Sequence, residues 1–187
     1  QLQLVIAAQI MSQTFGVYLT LILNLIILCC AQNCQDDPVK LDEQFIGCCR
    51  GRPKYTSELC IDTLLANDTF SEKCILDCMY KEFKIYDGEQ IDLEAVNTFI
   101  DEQITDVNFN LIYMDAFESC SKFAKDTLQQ KFSFVKYDNE HNCDDYAMFV
   151  DICVWYHTLG NCPEEYANND DICHDKREWV NKCLFET

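Results

Sequence analysis

The cysteine residues constrain this chain more than any other feature of its sequence. There are fourteen among 187 residues, a density typical of disulfide-stabilised proteins from oxidising compartments. Cys74 and Cys78 are four positions apart, so that on a helix they lie one turn apart on the same face, with parallel side chains. A bond between the two would be strained, and each is expected to reach a different neighbouring element. The spacing therefore predicts helices that are joined to one another by disulfides.

The N-terminal segment has the pattern of a secretory leader. Residues 1–31 carry no charged side chain, and the apolar run from Val17 to Ala31 ends with small residues at positions −3 and −1 before Gln32, as at a signal-peptide cleavage site. The chain begins with Gln1, and we expect residues 1–10 to be upstream read-through and residues 11–31 to be a cleaved signal peptide of a secreted, extracellular protein. The pattern departs from a usual leader in lacking a positive charge before the apolar run. An uncleaved membrane anchor is the alternative, but the run is shorter than the ~20 residues that span a bilayer and contains Asn24.

Residues 32–187 are expected to form a single domain. They hold all the charged side chains and the formal net charge of −18, which argues against nucleic acids and anionic membranes as partners. Five glycines and three prolines are too few for a β-sandwich with many tight turns. Twelve cysteines remain after the leader and are expected to form disulfides: Cys34, Cys48, Cys49, Cys60, Cys74, Cys78, Cys120, Cys143, Cys153, Cys162, Cys173 and Cys183.

Apolar side chains recur at helical spacing along most of this domain. Thr69, with Glu72 three residues later, is predicted to cap one helix as a capping box, and Asp92 is predicted to cap the next. Further helices are predicted over 109–123 and from residue 146 towards Gly160, with weaker patterns over 125–137 and near the C-terminus. No segment shows the alternation of a strand, and the sequence predicts an all-α fold.

Zinc binding is the main alternative use for so many cysteines. Structural zinc sites combine closely spaced cysteine pairs, often with a histidine pair. Here His141, His157 and His174 form no such pair, so zinc is disfavoured and no cofactor is expected. The histidines could instead form a pH switch, or they could be solvated surface residues.

The cysteine order matches a known arrangement. Its six-cysteine core is Cys48 or Cys49, Cys74, Cys78, Cys120, Cys153 and Cys162, with three residues between the second and third and eight between the last two. The added features are Cys143, the proline Pro163 directly after the sixth core cysteine, and an extension with Cys173 and Cys183. With these features residues 32–187 resemble insect odorant-binding proteins of the cysteine-rich Plus-C subclass.

The resemblance implies a compact disulfide-stapled helical shell of the insect pheromone/odorant-binding type. It also implies the disulfides Cys74–Cys153 and Cys120–Cys162, with Cys78 bonded to Cys48 or Cys49. The pairing of the other six cysteines stays open, because twelve cysteines allow on the order of ten thousand connectivities.

The function implied by the resemblance is that of a secreted carrier, without enzymatic activity, that holds small hydrophobic molecules such as odorants in an internal apolar pocket. Small apolar ligands, a membrane olfactory receptor and at most a weak homodimer are the implied partners. Nine aromatic residues at inward-facing helical positions are the candidate pocket residues, although aromatic residues at this spacing more often form ordinary core. They are Phe99, Phe109, Tyr113, Phe117, Phe132, Phe134, Phe149, Trp155 and Tyr156.

Two other functions stay open. The first is an extracellular protein-binding module without a ligand cavity. The second is a lipid-cleaving enzyme, since Cys173-His174-Asp175 resembles the histidine–aspartate site of secreted phospholipases A2, but the preceding cysteine pair and the glycine-rich calcium loop of those enzymes are missing. In addition, Asn67-Asp68-Thr69 is a sequon for N-glycosylation at Asn67.

Overall fold

A computed structural model of the chain describes residues 47–51, 53, 55–133, 135 and 141–185, all within one compact unit, 41–187. The predicted leader, Cys34 and Phe134 lie outside the described residues. Within those ranges seven α-helices precede a short π-helix at Asn181–Phe185. The helices are α1 Glu58–Ala66, α2 Glu72–Glu82, α3 Leu93–Gln103, α4 Val107–Cys120, α5 Lys125–Lys131, α6 Tyr146–Gly160 and α7 Asp171–Val180. Extended pairing in the same ranges is limited to two isolated antiparallel bridges, and the predicted all-α fold is confirmed.

Helix α6 forms the centre of the fold. Its sequence, YAMFVDICVWYHTLG, is apolar around most of its circumference, and eleven of its fifteen residues are buried. A helix that is hydrophobic on all sides must be covered on all sides. Helices α2, α4, α5 and α7 pack against it and provide that cover.

The helix starts show how local hydrogen bonding sets the element boundaries. Asp92 caps α3 as predicted, because its side chain accepts hydrogen bonds from two backbone N–H groups of the first turn. The predicted cap at Thr69 is wrong. The Thr69 backbone N–H bonds to the Leu64 carbonyl at 3.0 Å and so belongs to the turn that ends α1. Ser71 caps α2 instead, its hydroxyl accepting from the Cys74 N–H at 3.3 Å.

Disulfides join these helices. Five connect described residues: Cys48–Cys173, Cys49–Cys162, Cys60–Cys78, Cys74–Cys143 and Cys120–Cys153. Cys183 is disulfide-bonded as well. Cys74 and Cys78, one turn apart on α2, reach different elements as expected: Cys78 bonds to α1 and Cys74 bonds to the segment before α6.

The pairing implied by the resemblance is wrong. Cys153 of α6 lies against α4 and bonds to Cys120, with the two Cα atoms 5.9 Å apart. It is therefore not the partner of Cys74, which bonds to Cys143, and Cys120 is not the partner of Cys162. The disulfide partners are determined by which helices pack against each other, and the packing of α4 on α6 brings Cys120 to Cys153.

The vicinal cysteines also have partners other than the implied one. Cys78 bonds to Cys60 on the neighbouring helix α1 and to neither Cys48 nor Cys49. The vicinal pair instead holds the segment 162–173, through Cys49–Cys162 and Cys48–Cys173. Backbone hydrogen bonds reinforce this contact, one from the Arg50 N–H to the Tyr166 carbonyl at 2.9 Å. No helix within the described ranges has both the length and the apolar character that crossing a bilayer requires.

Candidate functional site

A pocket of about 320 Å³ lies between the extended segment before α1 and helices α2, α4 and α6. Small-molecule sites span roughly 300–1,000 Å³, so this pocket lies at the small end of that range. At about 30 Å³ per water it equals the volume of roughly ten water molecules. The described residues that line it are Pro53, Tyr55, Thr56, Leu76, Tyr113, Asp151, Val154 and Trp155.

Four parts of the chain supply these side chains. Asp151, Val154 and Trp155 occupy positions i, i+3 and i+4 of α6, which places them on one face of that helix. Tyr113 comes from α4 and Leu76 from α2. The disulfides Cys120–Cys153 and Cys74–Cys143 bind the lining helices α2, α4 and α6 to their neighbours, so the pocket wall rests on cross-linked elements.

Aromatic contacts fix the walls of the pocket. The Tyr55 ring meets Phe99 edge-to-face with 5.0 Å between centroids, and it lies 6.4 Å from the Tyr113 ring. The Trp155 ring packs edge-to-face on Tyr156 at 4.9 Å. Such pairs contribute roughly 0.5–1.5 kcal/mol each beyond the area they bury. The walls are therefore held in place without a ligand.

The polar part of the pocket is centred on Asp151, which is half-buried. Its Oδ1 atom accepts hydrogen bonds from the Tyr55 hydroxyl and, at 3.2 Å, from the Tyr80 hydroxyl. Tyr80 is fully buried, and this burial, with the nearby Asp151 charge, raises the pKa of Tyr80 well above its usual value. Tyr80 therefore remains a neutral donor, and the site presents a positioned carboxylate beside aromatic surface.

The nine predicted pocket residues occupy different places. Tyr113 and Trp155 line the pocket, and Phe99 supports it from behind Tyr55. Five others are fully buried in the core: Phe109, Phe117, Phe132, Phe149 and Tyr156. Phe109, Phe117, Phe132 and Tyr156 have ring contacts with other aromatic residues, as in the stacked pair of Phe132 and Tyr156 at 5.7 Å. Phe134 lies outside the described residues.

Sequence reasoning missed Tyr55 and Asp151. Tyr55 belongs to an extended segment, where helical periodicity carries no information. Asp151 did have a signal, because it is the one carboxylate in the mainly apolar sequence of α6. An acidic residue in a buried apolar run needs hydrogen-bond donors, and such residues often mark functional sites.

A second depression, of about 390 Å³, lies beside Tyr86, Lys125 and Asp144. The Tyr86 hydroxyl donates to Asp144 Oδ2 at 2.8 Å, and Lys125 Nζ lies 3.0 Å from Asp144 Oδ1. Desolvation and this hydrogen bond raise the pKa of Tyr86. These three groups satisfy one another's hydrogen-bonding and charge requirements. They hold the loop after α2 against the start of α6, which is a structural role.

The histidines differ in environment. His157 on α6 is buried, with its ring 4.9 Å from the Phe185 ring and its Nε2 atom 3.5 Å from Asp115 Oδ2. Burial lowers the pKa of His157, and the Asp115 charge partly opposes that effect. His174 is exposed, 3.8 Å from Asp175. Across the described part of the chain, no three His, Cys, Asp or Glu side chains are grouped as metal ligands would be.

No family model matches the chain, and no curated protein matches it. The class is therefore defined by structure alone. It is a disulfide-stapled all-α protein with an aromatic-walled pocket beside its central helix.

Proposed function

We propose that the protein is a secreted carrier of small hydrophobic molecules, of the insect odorant-binding type, and that the pocket between α2, α4, α6 and residues 53, 55 and 56 is its binding site. The observation that carries the proposal is the composition of this pocket. Three aromatic side chains, Leu76 and Val154 supply apolar walls, and one carboxylate with its tyrosine donors supplies a polar anchor. Small-molecule sites commonly combine a mainly apolar lining with a few placed polar groups.

The proposed secretion draws on two independent features. The apolar leader ends in a pattern typical of signal cleavage. The domain carries five disulfides between described residues, and disulfides are rare in proteins of reducing compartments. Both features favour an extracellular fluid as the place of action.

The size of the pocket bounds the affinity. A ligand of about ten to fifteen heavy atoms that gains roughly 0.5 kcal/mol per atom binds with about −5 to −8 kcal/mol. This corresponds to micromolar or weaker dissociation constants. Such an affinity suits a carrier, which must release its ligand as well as bind it.

The test is displacement of a fluorescent apolar probe from oxidised protein, residues 32–187, by a panel of volatile and fatty compounds. We expect saturable binding of one probe per chain, with competition at micromolar concentrations. Thr56 lines the pocket and is exposed, so Thr56→Trp should fill the pocket and weaken binding without disturbing the core. Thr127 on α5 is exposed away from the pocket lining, and Thr127→Trp is the matched control.

Intrinsic fluorescence gives a second readout. Trp155 lies in the pocket, whereas Trp179 lies on α7. A ligand should change the emission of the wild type, and Trp155→Phe should remove most of that change. Binding that Thr56→Trp leaves intact would mean that the ligand occupies another place, and a folded protein that takes up no probe between pH 4 and pH 8 would refute the carrier proposal.

A protein-binding module is the second candidate, and one surface favours it. Val107 and Leu111 are exposed by 67% and 71%, and they lie one turn apart on α4. A failed probe assay with a folded protein would make this surface the leading candidate for function.

A further inference from the structure

Asn67 ends helix α1 in a position open to solvent. It is exposed, it follows Ala66 at the helix C-terminus, and its side-chain nitrogen donates to the Thr63 carbonyl at 2.9 Å. With Asp68 and Thr69 it forms the one Asn-x-Ser/Thr sequon in the whole sequence. Asp68 has a φ of 54°, so the backbone turns sharply away from the helix at this point. An asparagine at such a turn is accessible to an enzyme that attaches a glycan.

Helix α1 and the turn that follows it expose three large apolar side chains. Leu59 and Leu65 of α1 are exposed by 64% and 58%, and Phe70 just beyond the turn is exposed by 50%. These are three of the six large hydrophobic side chains that stand out as exposed among the described residues. Exposed apolar side chains that lie close together on a surface indicate an interaction site or a tendency to aggregate.

Helical spacing relates these residues to Asn67. Leu59, Thr63 and Asn67 follow one another at intervals of four positions, which places them along one side of α1. At a rise of 1.5 Å per residue, Leu59 lies about 12 Å from Asn67 along the axis. Leu65 precedes Asn67 by two residues and therefore lies on the opposite side of the helix, whereas Phe70 follows Asn67 by three residues, just beyond the turn. A bulky group on Asn67 is therefore on the same side of α1 as Leu59 and close along the chain to Phe70.

We propose that Asn67 carries an N-linked glycan and that this glycan covers the exposed apolar side chains of Leu59 and Phe70. The proposal goes beyond carrier function and rests on the proposed secretion, because the modification takes place in the secretory pathway. Glycans are bulky and solubilising, and they lie on protein surfaces. The disulfide from Cys60 of the same helix to Cys78 is typical of that oxidising route.

The linkage is compatible with the folded contact. The side-chain nitrogen of Asn67 bonds to the anomeric carbon of a lipid-diphosphate-linked oligosaccharide, the bond from that carbon to the diphosphate oxygen breaks with its electrons, and one amide proton is lost to a base. An amide nitrogen carries two protons. The proton that remains can still donate to the Thr63 carbonyl, so the end of α1 keeps its hydrogen bond.

The first experiment expresses the full chain in cultured insect cells and measures the secreted protein's mass before and after endoglycosidase treatment. We expect a loss of mass for the wild type and for Thr69→Ser, which keeps the sequon, and none for Asn67→Gln. If the leader fails to direct secretion, the same domain behind a heterologous signal peptide is measured instead. Secreted protein without a glycan would overturn this inference and leave the carrier proposal standing.

The second experiment tests the covering of the apolar surface. Removal of the glycan from folded protein should increase binding of a surface-sensitive apolar dye and self-association in sedimentation. The double substitution Leu59→Lys, Phe70→Lys should abolish that increase. Its matched control, Val107→Lys with Leu111→Lys on α4, changes an equally exposed pair and should leave the increase intact. An unchanged dye signal after glycan removal would overturn the shielding role.

Discussion

Removing the disulfide Cys74–Cys143 should cost more stability than removing Cys60–Cys78. Both bridges start on helix α2, one turn apart. Each joins a fully buried cysteine, Cys74 or Cys60, to a half-buried one. The local effects of replacing the sulfur atoms are therefore similar, and the difference between the variants reports on the loop that each bridge closes.

The loop lengths give the magnitude. Cys60 and Cys78 are 18 residues apart, whereas Cys74 and Cys143 are 69 apart. The other bridges shorten the longer loop, because a path from Cys74 to Cys78, across to Cys60, back to Cys49, across to Cys162 and back to Cys143 covers only about 34 residues. The chain-entropy relation then gives about 3.8 kcal/mol for Cys74–Cys143 and about 3.2 kcal/mol for Cys60–Cys78 at 25 °C.

The assay compares Cys74→Ala/Cys143→Ala with Cys60→Ala/Cys78→Ala by equilibrium unfolding in guanidinium chloride. Peptide mapping without reductant first confirms that the other bridges are native in both variants. We expect the first variant to be the less stable by about 0.6 kcal/mol. If the variant that lacks Cys60–Cys78 is the less stable of the two, loop-closure entropy does not determine how much these bridges stabilise the protein.

Three further predictions concern helix ends and one buried group. Gly160→Ala should destabilise by about 1 kcal/mol in urea unfolding, because the added methyl would displace the Asn181 side chain and break its 3.1 Å hydrogen bond to the Gly160 carbonyl; a change near zero would contradict the close docking of the C-terminal segment. Asp92→Ala should cost about 1 kcal/mol, and Asp92→Asn less, since the cap accepts two backbone hydrogen bonds; equal losses would contradict capping. The pKa of His157 is lower in the folded protein than in the unfolded chain, so the unfolded chain binds a proton at a higher pH than the folded protein does. The free energy of unfolding should therefore fall as the pH drops below about 6.5. His157→Gln should flatten that slope measured by urea unfolding, and the exposed-site control His174→Gln should not.

Helical periodicity predicted the elements whose apolar residues face inward, and it missed α1. Segments such as α3 and α6 bury several apolar side chains, so their pattern follows their packing. In α1 the buried residue is Cys60, while Leu59 and Leu65 point to solvent. A helix held by a disulfide and exposing its leucines has no apolar stripe for a sequence pattern to show.

The pocket was predictable only in part. Tyr113 and Trp155 lie on helices with recognisable faces, but Tyr55 reaches the pocket from an extended segment. No local sequence pattern predicts where such a segment will pack. The disulfide partners were unpredictable for a related reason, since Cys153 finds Cys120 through the packing of α4 on α6 and not through spacing.

The bridges of Cys48 and Cys49 have a consequence for proteolysis. The two bonds and the peptide bond between these neighbours close a covalent ring that contains the whole segment 162–173. A single cut anywhere between Cys49 and Cys173 leaves both fragments attached to each other through at least one of the two bonds. A nicked molecule would therefore migrate as an intact chain without reductant and separate into fragments only after reduction. In a protease-rich fluid, damage to this protein would stay hidden from any measurement of size that leaves its disulfides in place.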